Sequence, residues 1–172
     1  DETHGNVSVF ETEMEVYDWQ VQNYQRPAKE DLVIYELLIR DFSFRKSFTS
    51  VVDSLDYLEK LGINAIKLMP VIEFEGNDSW GYNPIFFMAV DKKYGPANEL
   101  KRLIDECHQR GIAVILDIVP NHAFGRNPYV KLYWDAGQQR PAWNSPYFNP
   151  VATHPFSVGY DFNHESQYVR QM

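Results

Sequence analysis

The chain has 172 residues with 44% hydrophobic and 23% charged residues, which are the values of an ordinary single globular domain and exclude a mini-protein, a disordered chain and a fibre. The 16 Lys and Arg residues against 24 Asp and Glu give a net charge of -8, so we expect no nucleic acid and no membrane surface as a partner. A single cysteine, Cys107, excludes an internal disulfide. No targeting signal is apparent, and the localisation stays open.

Apolar segments alternate with helical patterns along the chain. Residues 31–39 are almost continuously apolar and predict a first strand that is buried on both faces. Helical spacing follows over residues 48–61, with a capping box at Ser50-Val51-Val52-Asp53, and we expect this helix to end at Gly62. Residues 63–70 predict a second strand that is entered directly from the helix.

The same order of elements then returns. Pro96 opens a second helix, Gly111 ends it, and residues 112–117 predict a third strand. The spacing predicts that Cys107 is buried on the apolar face of this helix. Repeated strands and helices of this kind predict a parallel sheet. The long connections, roughly 10, 25 and 45 residues against a norm of about 2 to 6, all follow strands, so we expect the functional site at the carboxyl edge.

Polar side chains are concentrated after the third strand. Asp117, Asn121 and His122 lie close together there, at the edge where a ligand is expected. One interpretation is a ligand site; the alternative is that Asp117 caps local backbone amides and His122 is a loop residue with its hydrogen bonds satisfied. The sequence contains no phosphate-binding glycine loop and no serine-hydrolase or zinc-hydrolase motif.

Two further loops carry candidate site residues. In one, Gly81 separates Trp80 from Tyr82, and the two rings either present their faces to a sugar or seal the loop onto the fold. In the other, Asp161 could join Asn121 as an oxygen ligand of calcium. Because calcium takes about 6 to 8 oxygen ligands, hydrogen bonds that pin the loop are the alternative role.

The segment Asp117-Ile118-Val119-Pro120-Asn121-His122 resembles a signature region of the α-amylase family of glycoside hydrolases. Further segments resemble the family in the same order: Ile34-Tyr35-Glu36, Arg40-Asp41-Phe42, Leu61-Gly62-Ile63-Asn64-Ala65-Ile66, Leu68-Met69-Pro70-Val71, Trp80-Gly81-Tyr82-Asn83-Pro84 and Tyr94-Gly95. The resemblance implies an α/β fold, a partial TIM-type (β/α)8 barrel made of the first three βα units.

The resemblance also implies an organisation of the chain. A lead-in segment occupies residues 1–30, and the first three strands and two helices of the barrel occupy residues 31–117. An irregular subdomain inserted after strand three occupies residues 118–160. Residues 161–172 return to the barrel and start its third helix.

Roles for individual residues follow from the resemblance. Tyr82 would stack on the sugar beside the scissile bond, His122 would hydrogen-bond that sugar, and Asp117 would support the site from strand three. Trp80 joins this substrate-binding set as the neighbouring loop aromatic rather than through the resemblance. Asn121 would bind a structural calcium, which Asp161 could join.

The family's catalytic carboxylates follow later strands, so we expect no catalytic residue in this chain. Our expectation is the amino-terminal portion of a retaining glycosidase for α-glucans such as starch, glycogen and maltooligosaccharides, inactive alone. Hydrolysis, transfer and branching stay open. The alternatives are a non-catalytic carbohydrate-binding module that uses the loop aromatics, and a small α/β interaction domain. We also expect an apolar inner sheet face, carrying Ile34, Ile66 and Ile115 or their neighbours, to promote self-association; the alternative is that residues 118–160 bend over this face.

Overall fold

The centre of the fold is a three-stranded parallel sheet, seen in a computed structural model that describes residues 16–172. Its strands are β1 (Ile34–Leu37), β2 (Ala65–Leu68) and β5 (Ala113–Leu116), with β2 in the middle. Both pairings are parallel and in regular register. The predicted parallel sheet is confirmed, and its strands lie in chain order.

Helices pack against one face of this sheet: α1 (Ile39–Phe42), α2 (Phe48–Val52), α3 (Leu55–Lys60) and α4 (Ala97–Gln109). The predicted second helix is confirmed as α4, with Pro96 at its N-cap and Cys107 fully buried. Burial raises the pKa of the Cys107 thiol to about 12. Among residues 16–172, no helix is long and apolar enough to cross a membrane.

The predicted first helix is wrong as a single element. The chain leaves helical geometry at Ser54, whose hydroxyl donates a hydrogen bond to the carbonyl oxygen of Ser50, and α2 and α3 are therefore separate. The predicted capping box is also wrong in register. Ser47 is the N-cap and exchanges hydrogen bonds with Ser50, so Ser50 is the third residue of the helix rather than its cap.

The two faces of the sheet differ in polarity. Side chains alternate along a strand, and Leu37, Ile66 and Leu68 are buried against the helices. The opposite face carries Glu36 and Lys67, which are partners in the register. Two expectations are therefore wrong: β1 is not buried on both faces, since Ile34 is 49% exposed, and Ile66 lies on the helix side rather than on the inner face.

An antiparallel hairpin lies between β2 and α4, where the sequence predicted a loop. It consists of β3 (Ile72–Phe74) and β4 (Pro84–Val90). Buried Glu73 accepts hydrogen bonds from the backbone and the ammonium group of Lys92, which ties the start of the hairpin to its end.

The segment after β5 forms a second cluster of short elements. They are β6 (His122–Ala123), α5 (Pro128–Leu132), β7 (Trp134–Asp135), β8 (Arg140–Pro141), β9 (Tyr160–Asp161) and α6 (Gln167–Arg170). Val130, Phe148 and Phe162 form its core, and the rings of Phe148 and Phe162 are stacked at 4.5 Å. The amide of Asn127 donates a 2.7 Å hydrogen bond to the Ile85 carbonyl, which anchors this cluster to β4.

The described part of the lead-in packs on α4. Asp105, which is buried within that helix, accepts hydrogen bonds from the backbone N–H groups of Gln20 and Val21, both at 3.0 Å. The ring of Tyr24 stacks on His108 at 3.8 Å. A short 3-10 helix, Lys29–Asp31, then leads into β1. The first half of the predicted lead-in, residues 1–15, lies outside the described residues.

Candidate functional site

Tyr82 and Asp117 meet at the carboxyl edge of the parallel sheet. The hydroxyl of Tyr82, on the loop between β3 and β4, donates a 2.9 Å hydrogen bond to Oδ2 of Asp117, the residue that follows β5. Burial and this hydrogen bond to the carboxylate raise the pKa of Tyr82 above its ordinary value. The phenol therefore stays protonated as a donor, while its side chain remains 37% exposed.

His122 fixes the backbone of the same loop. Its Nε2 lies 2.9 Å from the carbonyl oxygen of Tyr82, and because a carbonyl only accepts, Nε2 carries the proton. The other ring nitrogen, Nδ1, is buried with no hydrogen-bond partner. Gly159 lies against the ring in a left-handed conformation (φ 61°), where a Cβ would approach His122 Cδ2 to 3.0 Å and the Ala123 carbonyl to 2.7 Å.

A lysine joins the site from the central strand. The ammonium of Lys67 lies 2.7 Å from Oε1 of Glu36 on β1 and 3.0 Å from Oδ2 of Asp117. The hydrogen bonds that Lys67 donates to these carboxylates raise the pKa of Lys67, so it remains charged. Asp117 Oδ2 thus accepts a hydrogen bond from the Tyr82 hydroxyl and is also paired with the Lys67 ammonium. Glu36 and Lys67 were not predicted from the sequence as site residues.

Two contacts, one of Arg40 and one of Gly81, fix the loop that carries Tyr82 against the rest of the fold. Arg40 in α1 forms ion pairs with Asp41 and, at 2.8 Å, with Asp78. Gly81 adopts a φ of 91°, and a Cβ there would lie 2.5 Å from the carbonyl oxygen of Pro70, so the loop can approach the segment that follows β2 only because this residue is glycine. Trp80 is 60% exposed on the same loop.

Asp161, predicted as a metal ligand, is engaged with neighbouring protein groups. Its Oδ2 accepts hydrogen bonds from the Asn149 amide at 2.8 Å and from the backbone and hydroxyl of Thr153, and Nε2 of His154 lies 3.3 Å from Oδ1. Burial opposes its ionisation, but the donors from Asn149 and Thr153 outweigh burial and lower the pKa of Asp161.

Asn121 is exposed, and its carbonyl accepts a hydrogen bond from the Phe162 N–H at 3.0 Å, which places it beside Asp161. Within residues 16–172, no group of three or more His, Cys, Asp or Glu side chains could hold a metal ion. The hydrogen bonds of Asp161 to Asn149 and Thr153 are the kind expected if Asp161 fixes the loop rather than binding a metal. A calcium site stays a prediction.

Comparison with known proteins identifies the family. The model of the alpha-amylase catalytic domain matches residues 47–164 of this chain, which include β2, the hairpin, β5 and the site residues Lys67, Tyr82, Asp117 and His122, but not β1 with Glu36. The chain belongs to the alpha-amylase family.

Several relatives and structures are similar over most of the chain. A malto-oligosyltrehalose trehalohydrolase from Saccharolobus solfataricus is 36% identical over 148 residues, covering 86% of this chain and 24% of that protein. A 1,4-alpha-glucan branching enzyme GlgB from Shewanella frigidimarina is 30% identical over 160 residues, covering 79% of this chain and 21% of that protein. A Salmonella typhimurium structure assigned as an alpha amylase has a TM-score of 0.77 and 29% identity, covering 90% of this chain and 24% of that chain.

The chain spans about a quarter of the length of the curated relatives it matches, 24% and 21% for the two named here. The match to the alpha-amylase catalytic domain and the similarity to the Salmonella typhimurium structure imply the TIM-barrel fold. The described residues contain three parallel strands with helices packed on one face, together with separate two-stranded antiparallel pairs.

Proposed function

We propose that this chain forms part of the substrate-binding cleft of an α-amylase-type glycoside hydrolase that acts on α-glucans such as starch, glycogen or maltooligosaccharides. The observation that carries the proposal is the contact of the Tyr82 hydroxyl with Asp117 at the carboxyl edge of the sheet. This contact leaves the Tyr82 ring partly exposed at the edge where α/β barrels place their sites. The names of the relatives, a trehalohydrolase and a glucan branching enzyme, support the substrate class.

In this proposal the ring of Tyr82 is a flat platform for one face of a glucose unit. Asp117 fixes the phenol oxygen and His122 fixes the backbone carbonyl, so the residue is held at two points before the sugar arrives. Such preorganisation lowers the entropic cost of binding. Trp80 offers a second exposed ring on the same loop.

The chemistry of a retaining glycosidase requires two carboxyl groups about 5 to 5.5 Å apart across the scissile bond. In the proposal those groups belong to other parts of the whole protein, and this chain alone binds without turnover. Glu36 and Asp117 are poor substitutes because the same ammonium, that of Lys67, is paired with both.

Calcium near Asn121 and Asp161 is also kept as a proposal. A bound ion would have to compete for Asp161 Oδ2 with the Asn149 amide and the Thr153 hydroxyl. No step of the binding described above depends on it.

The test is the affinity of the 172-residue chain for maltoheptaose, measured by calorimetry. We expect Tyr82→Ala to weaken binding about tenfold, since an aromatic platform contributes about 1 kcal/mol or more and each 1.4 kcal/mol is a factor of ten. Tyr57→Ala is the matched control, because Tyr57 is an exposed tyrosine of α3. Its affinity should equal that of the unmodified chain.

Three outcomes contradict the proposal. Equal affinity of Tyr82→Ala and the unmodified chain would remove Tyr82 from the site. Release of reducing sugar from starch by this chain would show that it contains its own catalytic pair. Binding that persists without turnover in the longer protein would instead favour the carbohydrate-binding module.

A further inference from the structure

Lys67 occupies an unusual position for a lysine. It lies in β2, the central strand of the sheet, between the neighbours Ile66 and Leu68, which are both buried. Its own side chain turns to the opposite face and is only 35% exposed. A charge in this position needs partners, because burying an unpaired ammonium is costly.

Both partners come from the neighbouring strands. Glu36 stands directly opposite Lys67 in the register of β1, and Asp117 follows β5 on the other side. The ammonium lies 2.7 Å from Glu36 Oε1 and 3.0 Å from Asp117 Oδ2, so it spans all three strands. Charge-assisted hydrogen bonds of this length are among the stronger ones in proteins.

The same oxygen of Asp117 also accepts the Tyr82 hydroxyl at 2.9 Å. Pairing with the Lys67 ammonium restricts rotation of the Asp117 carboxylate. The lone pair of Oδ2 that accepts the Tyr82 hydroxyl then points in a fixed direction. The position of the Tyr82 phenol oxygen is therefore coupled to Lys67 through Asp117, while Glu36 keeps the lysine from swinging into solvent.

We infer that Lys67 is a positioning residue of the glucan site, which acts through the Asp117 carboxylate to set the orientation of the Tyr82 ring. The inference rests on the proposed function for the identity of the ligand. The contacts that carry it do not depend on the ligand.

The first test is a double-mutant cycle on maltoheptaose affinity, using the full 172-residue chain. Lys67→Met should weaken binding about tenfold in the native background and less than about twofold in an Asp117→Asn background, because the lysine has then lost the group through which it acts. Lys67→Arg, which keeps the charge, should restore affinity to within about threefold. Lys101→Met is the control, since Lys101 is a lysine of α4 whose ammonium contacts Asn98.

The second test needs no ligand. With 3-fluorotyrosine placed at position 82, the fluorine resonance of Lys67→Met should move toward that of Asp117→Asn, whereas Lys101→Met should leave it in place. If Lys67→Met does not fold, as judged by circular dichroism, Lys67→Gln replaces it in both tests.

The outcomes separate this inference from the proposed function. An equal loss of affinity in both backgrounds, or an unmoved fluorine resonance, overturns the positioning role. If Tyr82→Ala leaves affinity unchanged but the fluorine resonance moves as expected, the proposed function fails and the coupling of Lys67 to Tyr82 stands.

Discussion

Asp91 is a fully buried carboxylate at the end of the hairpin. Its Oδ1 accepts a hydrogen bond from the backbone N–H of Lys93 at 2.9 Å, and its own N–H donates to the Val71 carbonyl. Burial raises the pKa of Asp91 to about 6, and the nearby Glu73 charge adds to the effect. The folded protein therefore binds a proton at a pH where the unfolded chain does not.

This raised pKa predicts a pH dependence with a definite sign. Between about pH 4 and 6 the folded state holds the proton on Asp91 and the unfolded state does not, so this residue's contribution to stability falls as pH rises and stays low above about pH 6. Asp91→Asn removes the titration and keeps an acceptor for Lys93. Relative to this variant, the unmodified chain should lose about 2 to 3 kcal/mol of unfolding free energy between pH 4 and 7.

Urea unfolding at a series of pH values measures this difference. Asp31→Asn, at an exposed aspartate of the short 3-10 helix, is the control and should follow the unmodified chain. Parallel stability curves for Asp91→Asn and the unmodified chain would contradict the prediction.

Some of the individual site residues were predicted from the sequence and others were not. The sequence placed Tyr82, Asp117, Asn121 and His122 together at the carboxyl edge of the sheet, and the contacts bring Tyr82 together with Asp117 and His122. Their roles toward a sugar stay predictions. Glu36 and Lys67 were missed because each looks like a single charge in an apolar run, and only the register places them opposite each other. Their opposite charges were the available signal.

Among the elements, the lead-in depends on one helix residue for much of its attachment. Burial opposes the ionisation of Asp105, but hydrogen bonds from Gln20, Val21 and Tyr17 outweigh it and lower the pKa of Asp105. Asp105→Ala should release these donors and speed amide exchange at Gln20 and Val21 about tenfold or more, since each amide loses a hydrogen bond to a charged acceptor, which contributes about 1.5 to 3 kcal/mol. Alanine is a good helix former, so α4 should persist.

Hydrogen exchange resolved to single amides checks this prediction. Gln109→Ala, on an exposed position of the same helix, is the control. Unchanged exchange at Gln20 and Val21 in Asp105→Ala would show that other contacts, such as the stacking of Tyr24 on His108, hold the lead-in.

Element prediction succeeded where one pattern dominates and failed where patterns compete. The strands and α4 follow from apolar runs and a clear helical period. The hairpin was missed because β3 has only three residues, and Glu73 within it is polar although buried. The ion pair of Glu73 with Lys92 is a tertiary contact, and the local sequence around Glu73 does not predict it. The break between α2 and α3 was also missed. There the Ser54 hydroxyl donates a hydrogen bond to the Ser50 backbone carbonyl and so competes with the backbone hydrogen bonds of a continuous helix.

For the molecule as a whole, apolar surface remains uncovered near the site. Within residues 16–172, β1 and β5 are the outer strands of the sheet, and each has one unpaired edge. A groove of about 240 Å³ lies beside the end of β5, lined by residues that include Met88 and Ile118, which are 81% and 67% exposed. The sheet face itself is less apolar than expected because Glu36 and Lys67 lie on it.

Self-association therefore stays a prediction, with the groove rather than the sheet face as its expected centre. A symmetric dimer would bury Met88 and Ile118 twice, once on each copy, which favours a second copy of this chain as the occupant. Analytical ultracentrifugation should show a concentration-dependent dimer, and Met88→Glu should weaken it at least tenfold, because a carboxylate would have to be desolvated in each copy. Leu132→Glu, at an exposed leucine of α5 outside the groove, should leave the dimer unchanged. A chain that stays monomeric at high concentration would contradict the prediction.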